Sequence, residues 1–299
     1  VSASRLVLGT AQLGQPYGVA NRTGQPDADQ ATAVVRAALE CGVTGFDTAR
    51  AYGTSEQVLG HALGALDAQA QARIVTKLPP ELTLADAENM DTMVEISLCR
   101  LGVERLDCLM FHREEHLAYL EEPGFVVYFM ALMESGLTRS LGCSVYTPER
   151  ALEALDNPFL HAIQIPASVF DRRFEDAGVF ERAEEAGKTV HIRSALLQGV
   201  LCLAPGDLPP YLAPLSDSVR ALHALCRSLE VPVAVLAVRW LLARYPSARV
   251  LFGAETPEQV RETARAARGL HLSGDTLSAL DRLVPPQENR LLNPSLWRH

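Results

Sequence analysis

Eight short apolar runs, spaced fairly evenly along the chain, set the tightest limit on what this sequence can fold into. They are "RLVLGTA", "TGFDTA", "RIVTKL", "LDCLMFH", "RSLGCSV", "AIQIPAS", "TVHIRSA" and "ARVLFGA". Each is brief and mostly apolar, as expected of strands buried on both faces of a parallel sheet. Helical patterns separate them. In "DQATAVVRAALECG", Val34, Val35, Ala38 and Leu39 form one stripe, and Gly42 stands where a helix-terminating glycine belongs. "NMDTMVEISLCRLG" repeats that arrangement, and "PVAVLAVRWLLARYP" starts beside Pro232 and stops before Pro246.

Strands alternating with helices allow a doubly wound open sheet or a closed barrel. The open sheet ordinarily announces a dinucleotide by G-x-G-x-x-G after its first strand. Here "GTAQLGQPYG" follows, without that spacing. The even spacing predicts an α/β fold of the (β/α)8 TIM-barrel type, a single domain over residues 1–299. The Pro-rich "LAPGDLPPYLAPLSD" (203–217) reads as a long loop after strand seven, and "VPPQENRLLNPSLWRH" (284–299) as a C-terminal tail. The 200–217 loop, this tail with Trp297, and the loops after strands one and four are expected to shape a substrate pocket.

Charge and composition narrow the partners. A net charge of −9 is the wrong sign for a nucleic-acid footprint, which needs a basic face. No run reaches the roughly 18 apolar residues of a membrane span. The opening "VSASRLVLGTAQLG" lacks the pattern of a secretory leader, and the absent initiator Met suggests a trimmed or processed start. Six cysteines lie far apart with no C-x-x-C pair, which predicts small buried hydrophobes in a reducing, cytoplasmic compartment.

In a barrel, chemistry gathers at the C-terminal ends of the strands. Four ionisable residues fall there: Asp47 and Tyr52 after strand two, Lys77 in strand three and His112 after strand four. A buried Lys77 needs a counter-charge, and Asp47 on the neighbouring strand supplies one. Tyr52 then lies beside a fixed ammonium. A phenol titrates about three units above neutrality, roughly 4 kcal/mol. One positive charge about 4 Å away, at an effective dielectric near 20, contributes about as much. Lys77 is thus expected to make Tyr52 a workable general acid, with His112 a hydrogen-bond donor to a substrate oxygen.

"LGTAQLG", "GFDTARAYGTSE", "IVTKL" and "SLCRLGVERLDCLMFH" together resemble the aldo-keto reductase family, as do "LGCSVYTPE", "AIQIP" and "AVRWLLARYPSARVLFGAETPEQV". The resemblance runs from about residue 5 to 270. It implies a (β/α)8 barrel that binds NADP(H) or NAD(H) without a Rossmann domain. It also implies a catalytic tetrad of Asp47, Tyr52, Lys77 and His112. The reaction implied is hydride transfer between the nicotinamide and the carbonyl carbon of an aldehyde or ketone, sugar-like in the preferred reading, with Tyr52 giving the oxygen its proton.

The same resemblance assigns Ser144 and Gln164 to the nicotinamide carboxamide, although Val145 follows where Asn is common. Arg193 stands where many members place an aromatic residue against the nicotinamide, and a guanidinium plane can also stack. The backbone from Ser194 through Leu196 and Gln198 to Gly199 is expected to meet the pyrophosphate. Gly253, Ala254, Thr256 and Gln259 match the segment after strand eight, whose helix start suits an anion. Thr256 as N-cap with Pro257 at the first helical position is also plain helix capping. Thr263 stands where Asn often meets adenine. Glu255 stands where a basic residue often meets the adenosine 2′-phosphate; it opposes that phosphate and suits a free ribose 2′-hydroxyl. Arg261 and Arg265, one and two turns on, are the cations able to offset it.

Other readings remain open. "HREEH" (112–116) has the H-x-x-E-H spacing of some zinc peptidases, but that motif needs a helix and His112 ends a strand, so no metal is expected. A cofactor-binding regulatory protein on the same fold, with little turnover, is the alternative to an enzyme. Arg172 and Arg173 are expected to form ion pairs with Asp171 or Glu175 rather than hold an acidic substrate. The oligomeric state is not legible.

Overall fold

Each of the eight apolar runs forms a strand in the computed structural model, which describes residues 5–268, 272–283 and 287–297. The strands are β1 (Leu6–Gly9), β2 (Gly45–Asp47), β3 (Arg73–Lys77), β4 (Cys108–Phe111), β5 (Leu141–Ser144), β6 (Ala162–Pro166), β7 (Thr189–Arg193) and β8 (Arg249–Phe252). They close in chain order into a parallel barrel, with β8 pairing back onto β1. Helices follow every strand and ring the outside. No single helix among the described residues is long and apolar enough to cross a membrane.

The helix Ala28–Glu40 shows how local chemistry sets the frame. Asp27 accepts the Gln30 N–H at 2.8 Å while the Gln30 side chain accepts the Asp27 N–H at 3.1 Å, a reciprocal cap. Val34, Val35 and Ala38 are buried as the stripe predicts, joined by Ala31 and Ala37, while Leu39 is half-buried. Gly42 follows in the left-handed region. The segment read as a loop over 203–217 is more ordered than expected. It makes 3₁₀ turns at Pro205–Asp207 and Pro210–Leu215, and a helix begins at Ser216. Prolines at the starts of both turns preset the backbone for them.

The apolar interior has two parts. The larger lies between sheet and helices. The smaller, Val75, Cys108, Met110 and Ala162, lies inside the barrel, where the space is tight enough that a Cβ on Gly142 would come within 2.7 Å of the Ala162 carbonyl. Residues paired across parallel strands share a face, so Ser144, Gln164 and His191 point the same way, as do His191 and Arg249. Polar side chains thus occupy the axis, with Arg249 paired to Asp107 at 3.0 Å.

His191 is fully buried on that axis with an unpartnered Nδ1. Burial, with Arg249 and Lys77 nearby, pushes its pKa down to about 3 from an ordinary 6.5. The unfolded chain therefore binds one more proton than the folded one between about pH 6.5 and 3. Stability should fall as the pH is lowered through that window, by up to about 1.4 kcal/mol per unit for this one group. Urea unfolding at pH 4 to 7 should show a shallower acid arm in His191→Gln than in wild type; equal slopes would mean that His191 does not carry the linkage.

Candidate active site

Three of the four tetrad candidates are brought together by neighbouring strand ends and the fourth by the loop between. Lys77, 1% exposed, donates to Asp47 Oδ1 at 2.7 Å and to the Thr48 carbonyl at 3.0 Å. Asp47 accepts at its second oxygen from Gln164 Nε2, also at 2.7 Å, across the barrel. The ammonium lies 5.1 Å from the centre of the Tyr52 ring, and that ring meets His112 edge-on at 5.7 Å and 89°. Tyr52, His112 and Asp47 line one cavity of about 770 Å³; Lys77 stands behind them.

Electrostatics depart from the sequence expectation in one respect. Burial pushes the Tyr52 phenol well above its ordinary value, Asp47 adds to that, and Arg193 opposes it. Enclosure outweighs the neighbouring ammonium, because the charge sits against the ring and desolvation acts on the anion directly. The phenol is thus fully protonated at neutral pH. His112 is pushed down to about 3 by burial, with Lys77 and Arg193 adding to the shift, so it is a neutral imidazole.

The Tyr52 loop is held by β1. The Thr10 backbone N–H and hydroxyl both donate to the Asp47 carbonyl at 2.9 Å, and Ser55 Oγ donates to the Thr10 carbonyl at 2.7 Å. The short turn Ala11–Gly14 then packs so closely on the loop that a Cβ on Gly14 would fall 2.0 Å from the Tyr52 carbonyl. Behind the loop, Glu56 is buried, accepts from Thr76 at 2.8 Å and pairs with Arg100 at 3.3 Å. This ties the helix Ser55–Ala65 to β3 and to the next helix.

From this cluster the cavity runs along the mouth of the barrel. Of the cofactor candidates, Ser144, Gln164, Arg193, Ser194, Leu196, Gln198, Gly199, Gly253, Ala254, Glu255, Gln259 and Thr263 line it. Thr256 does not; its hydroxyl accepts the Gln259 N–H at 3.3 Å, the capping role. Ser194, Leu197 and Gln198 hold left-handed backbone, at φ of 62°, 47° and 53°. Such conformations in non-glycine residues cost about 1–3 kcal/mol each and gather where a ligand is clamped. Gln198 also accepts the Val19 N–H at 2.9 Å, joining the loop after β7 to the loop after β1. The Glu255 carboxylate accepts from Thr23 on that same loop, and burial raises its pKa.

The loop after β4 behaves differently from expectation, since among the described residues only His112 reaches the cavity. Residues 114–121 wind into 3₁₀ turns, with His116 stacked on Tyr119 at 5.1 Å and edge-on to Phe111. The helix that a zinc motif needs is not formed there. Arg173 grips Asp171 with two donors at 2.9 and 2.8 Å, as read from sequence, whereas Arg172 pairs with Asp281 and Glu175 with Arg244. Arg261 pairs with Glu40 and Glu258. In the tail, Asn293, Pro294 and Ser295 line the cavity, and Trp297 packs near Tyr211; residues 284–286 and 298–299 lie outside the described residues.

A model of the aldo/keto reductase family matches residues 5–285, nearly the whole of the described barrel. The chain belongs to this family. Aldo-keto reductase YhdN of Bacillus subtilis (strain 168) is 27% identical, over 94% of this chain and 88% of that one. The NADH-specific methylglyoxal reductase of Escherichia coli (strain K12) is 26% identical, over 91% of this chain and 92% of that one. The solved glycerol dehydrogenase AKR11B4 from Gluconobacter oxydans superimposes with a TM-score of 0.76 at 26% identity, over 97% of this chain and 94% of that chain. This aldo-keto reductase is an oxidoreductase of the class that works with NAD(P)(H).

Several lining residues of the reductase were not singled out from sequence: Gln12, Tyr17, Tyr146 and Glu262, whereas Cys202 falls within the 200–217 loop expected at the pocket. Gln12 lies inside the quoted "GTAQLG" and Tyr146 directly after "GCSV", so adjacency to a motif was the available signal. Gln12 donates to the Ala254 carbonyl at 3.0 Å, and a Cβ on Gly253 would sit 3.3 Å from its amide.

The tight contact at Gly14 makes Tyr52 sensitive to a residue that carries no chemistry. Gly14→Ala should lower stability by about 1–3 kcal/mol through overpacking and also reduce turnover of the folded fraction. Gly60→Ala, whose Cβ would fall 2.1 Å from the Arg100 carbonyl, is the comparison. It should lose similar stability with turnover per folded molecule nearly kept, as read from thermal unfolding and active-site titration.

Proposed function

We propose that this aldo-keto reductase interconverts a small polar, sugar-like aldehyde or ketone and its alcohol by hydride transfer, with Tyr52 as general acid and base. The observation that carries the reading is the Asp47–Lys77–Tyr52–His112 cluster, gathered at one end of a long cavity. When bound, NAD(P)(H) gives or accepts the hydride. The residues present suit it. A Cβ at Gly253 would crowd the Gln12 amide at 3.3 Å, the backbone after β7 is held in left-handed turns, and the polar pair Ser144 and Gln164 adjoins the reacting end.

The chain's own part follows from charge. Tyr52 is protonated before reaction and becomes a phenolate as it gives its proton to the substrate oxygen. That anion forms beside Lys77 and Arg193, so both cations favour the phenolate over the phenol. Asp47 and the Thr48 carbonyl hold Lys77 in place. His112, neutral, donates a hydrogen bond to the same oxygen and does not itself supply the proton. In this reading the substrate end is bounded by Asn293, Pro294 and Ser295, which line the same cavity. The NADH-specific methylglyoxal reductase and the glycerol dehydrogenase among the relatives support a small oxygenated substrate. The free cysteines accord with a cytoplasmic setting.

A screen of aldehydes, ketones and sugar lactols with both cofactors, in both directions, tests the proposal, and no turnover with any would point to a binding protein instead. Tyr52→Phe should lower kcat by roughly 10²–10⁴-fold with cofactor affinity nearly unchanged. Lys77→Met should be about as damaging, since Asp47 loses its partner and the phenolate its nearest cation. Retained kcat in either would remove that residue from the mechanism.

Cofactor choice turns on Glu255 at the far end of the cavity. We read it as facing the adenosine ribose, where a carboxylate repels a 2′-phosphate and accepts from a 2′-hydroxyl. NAD(H) is then usable and preferred. Glu255→Arg should shift the kcat/KM ratio toward NADPH by at least tenfold, about 1.4 kcal/mol. An unchanged ratio, or a wild type that already prefers NADPH a thousandfold, would overturn this placement.

A further inference from the structure

Arg193 carries a charge with no counter-ion beside it. Its guanidinium lies 4.2 Å over the Tyr146 ring. Its terminal nitrogens donate only long bonds, at 3.4 Å, to the Val145 carbonyl and to Ser194 Oγ, and its buried Nε has no partner. Among the described residues no carboxylate pairs with it. Of the acids around it, Asp47 is taken by Lys77 and Gln164, and Glu114 accepts the Tyr146 backbone N–H at 2.6 Å. That last bond holds the Tyr146 main chain. One face of the guanidinium plane is thus backed by the Tyr146 ring, and the arginine lines the cavity at its reacting end. With Tyr52 and His112 neutral, that end of the site has a net positive charge.

A nicotinamide ring presented to Tyr52 and His112 must sit near this guanidinium, which is close enough to act on both of them. The two redox forms of the cofactor are alike everywhere except at that ring. The oxidised ring is a cation and the reduced ring is neutral. A fixed cation in a partly desolvated site repels the first and leaves the second untouched, and guanidinium stays charged at any working pH. An aromatic residue in the same place would stack on both forms without that penalty.

We propose that Arg193, backed by Tyr146, makes the cavity hold reduced nicotinamide cofactor more tightly than oxidised, so that the bound couple is a weaker reductant than the free one. This rests on the nicotinamide reading of the cavity given above. On the protein, the balance between carbonyl and alcohol moves toward alcohol oxidation relative to solution. After a reduction, the oxidised cofactor leaves readily.

Equilibrium binding tests this without turnover. Dissociation constants for oxidised and reduced NAD are measured on the full chain by calorimetry and by fluorescence of the reduced form. In wild type the oxidised form should bind at least tenfold more weakly. In Arg193→Gln the ratio of the two constants should fall by at least tenfold, chiefly through tighter binding of the oxidised form. Arg193→Lys, which keeps the charge, should stay within about threefold of the wild-type ratio. A merely structural role would weaken both forms together and leave the ratio alone. A ratio unchanged in a folded Arg193→Gln overturns the role of Arg193, while wild type that binds neither form overturns the nicotinamide reading itself.

Discussion

The mouth of this barrel is organised around one buried ion pair, Lys77 with Asp47. Two charges inside a protein are costly to desolvate, and such a pair persists only where each partner's remaining hydrogen bonds are met. Here they are met from three strands. Asp47 ends β2, Lys77 ends β3, and Gln164 in β6 reaches across to the second carboxylate oxygen. The pair therefore fixes the relative positions of strands on opposite sides of the barrel. Removing either partner would leave a lone buried charge, which commonly costs about 3–5 kcal/mol. The arrangement is a poor device for stability alone, since an apolar pair would serve as well. What it supplies is a positive charge held against Tyr52 with no freedom to turn toward solvent.

The remaining devices at the mouth keep that geometry from relaxing. Thr10, Thr48 and Ser55 form a buried hydroxyl cluster between β1 and the Tyr52 loop, with contacts of 2.8 Å and 3.0 Å among them. Glycine at 14 and 53 lets two backbones touch where any side chain would part them. Glu56 anchors the following helix from within. None of these residues has a chemical role in the proposed reaction, yet each removes a direction in which the phenol could move. Positioning to well under 1 Å is what such chemistry requires.

The barrel was legible because both signals it depends on are local. Strands buried on two faces must be short and apolar, and the helices between them must show a stripe. Asp47, Tyr52, Lys77 and His112 were legible because a barrel assigns strand ends to one rim, so placement along the chain was enough. Loop residues had no such rule. Tyr17 and Tyr146 are ordinary in sequence, and only the closing of the barrel brings them to the cavity. The loop after β4 looked like pocket wall, but His116, Leu117 and Leu120 are apolar enough to turn it inward onto Phe111 and the core. Arg172 found Asp281, 109 residues away, in place of the acids beside it. Its local options were already used, Asp171 by Arg173 and Glu175 by Arg244.

Sequence reading went furthest wrong in the balance between burial and charge. A lysine near a phenol suggests a lowered pKa, and pairwise Coulomb estimates agree. Enclosure is not a pairwise quantity, and it shifts Tyr52 the other way. The two views are reconciled by asking when each acts. In the proposed mechanism Tyr52 must hold a proton before reaction, and burial favours that state. The phenolate that transfer would form is the state on which Lys77 and Arg193 act, so burial and the two cations serve successive stages of one proposed step.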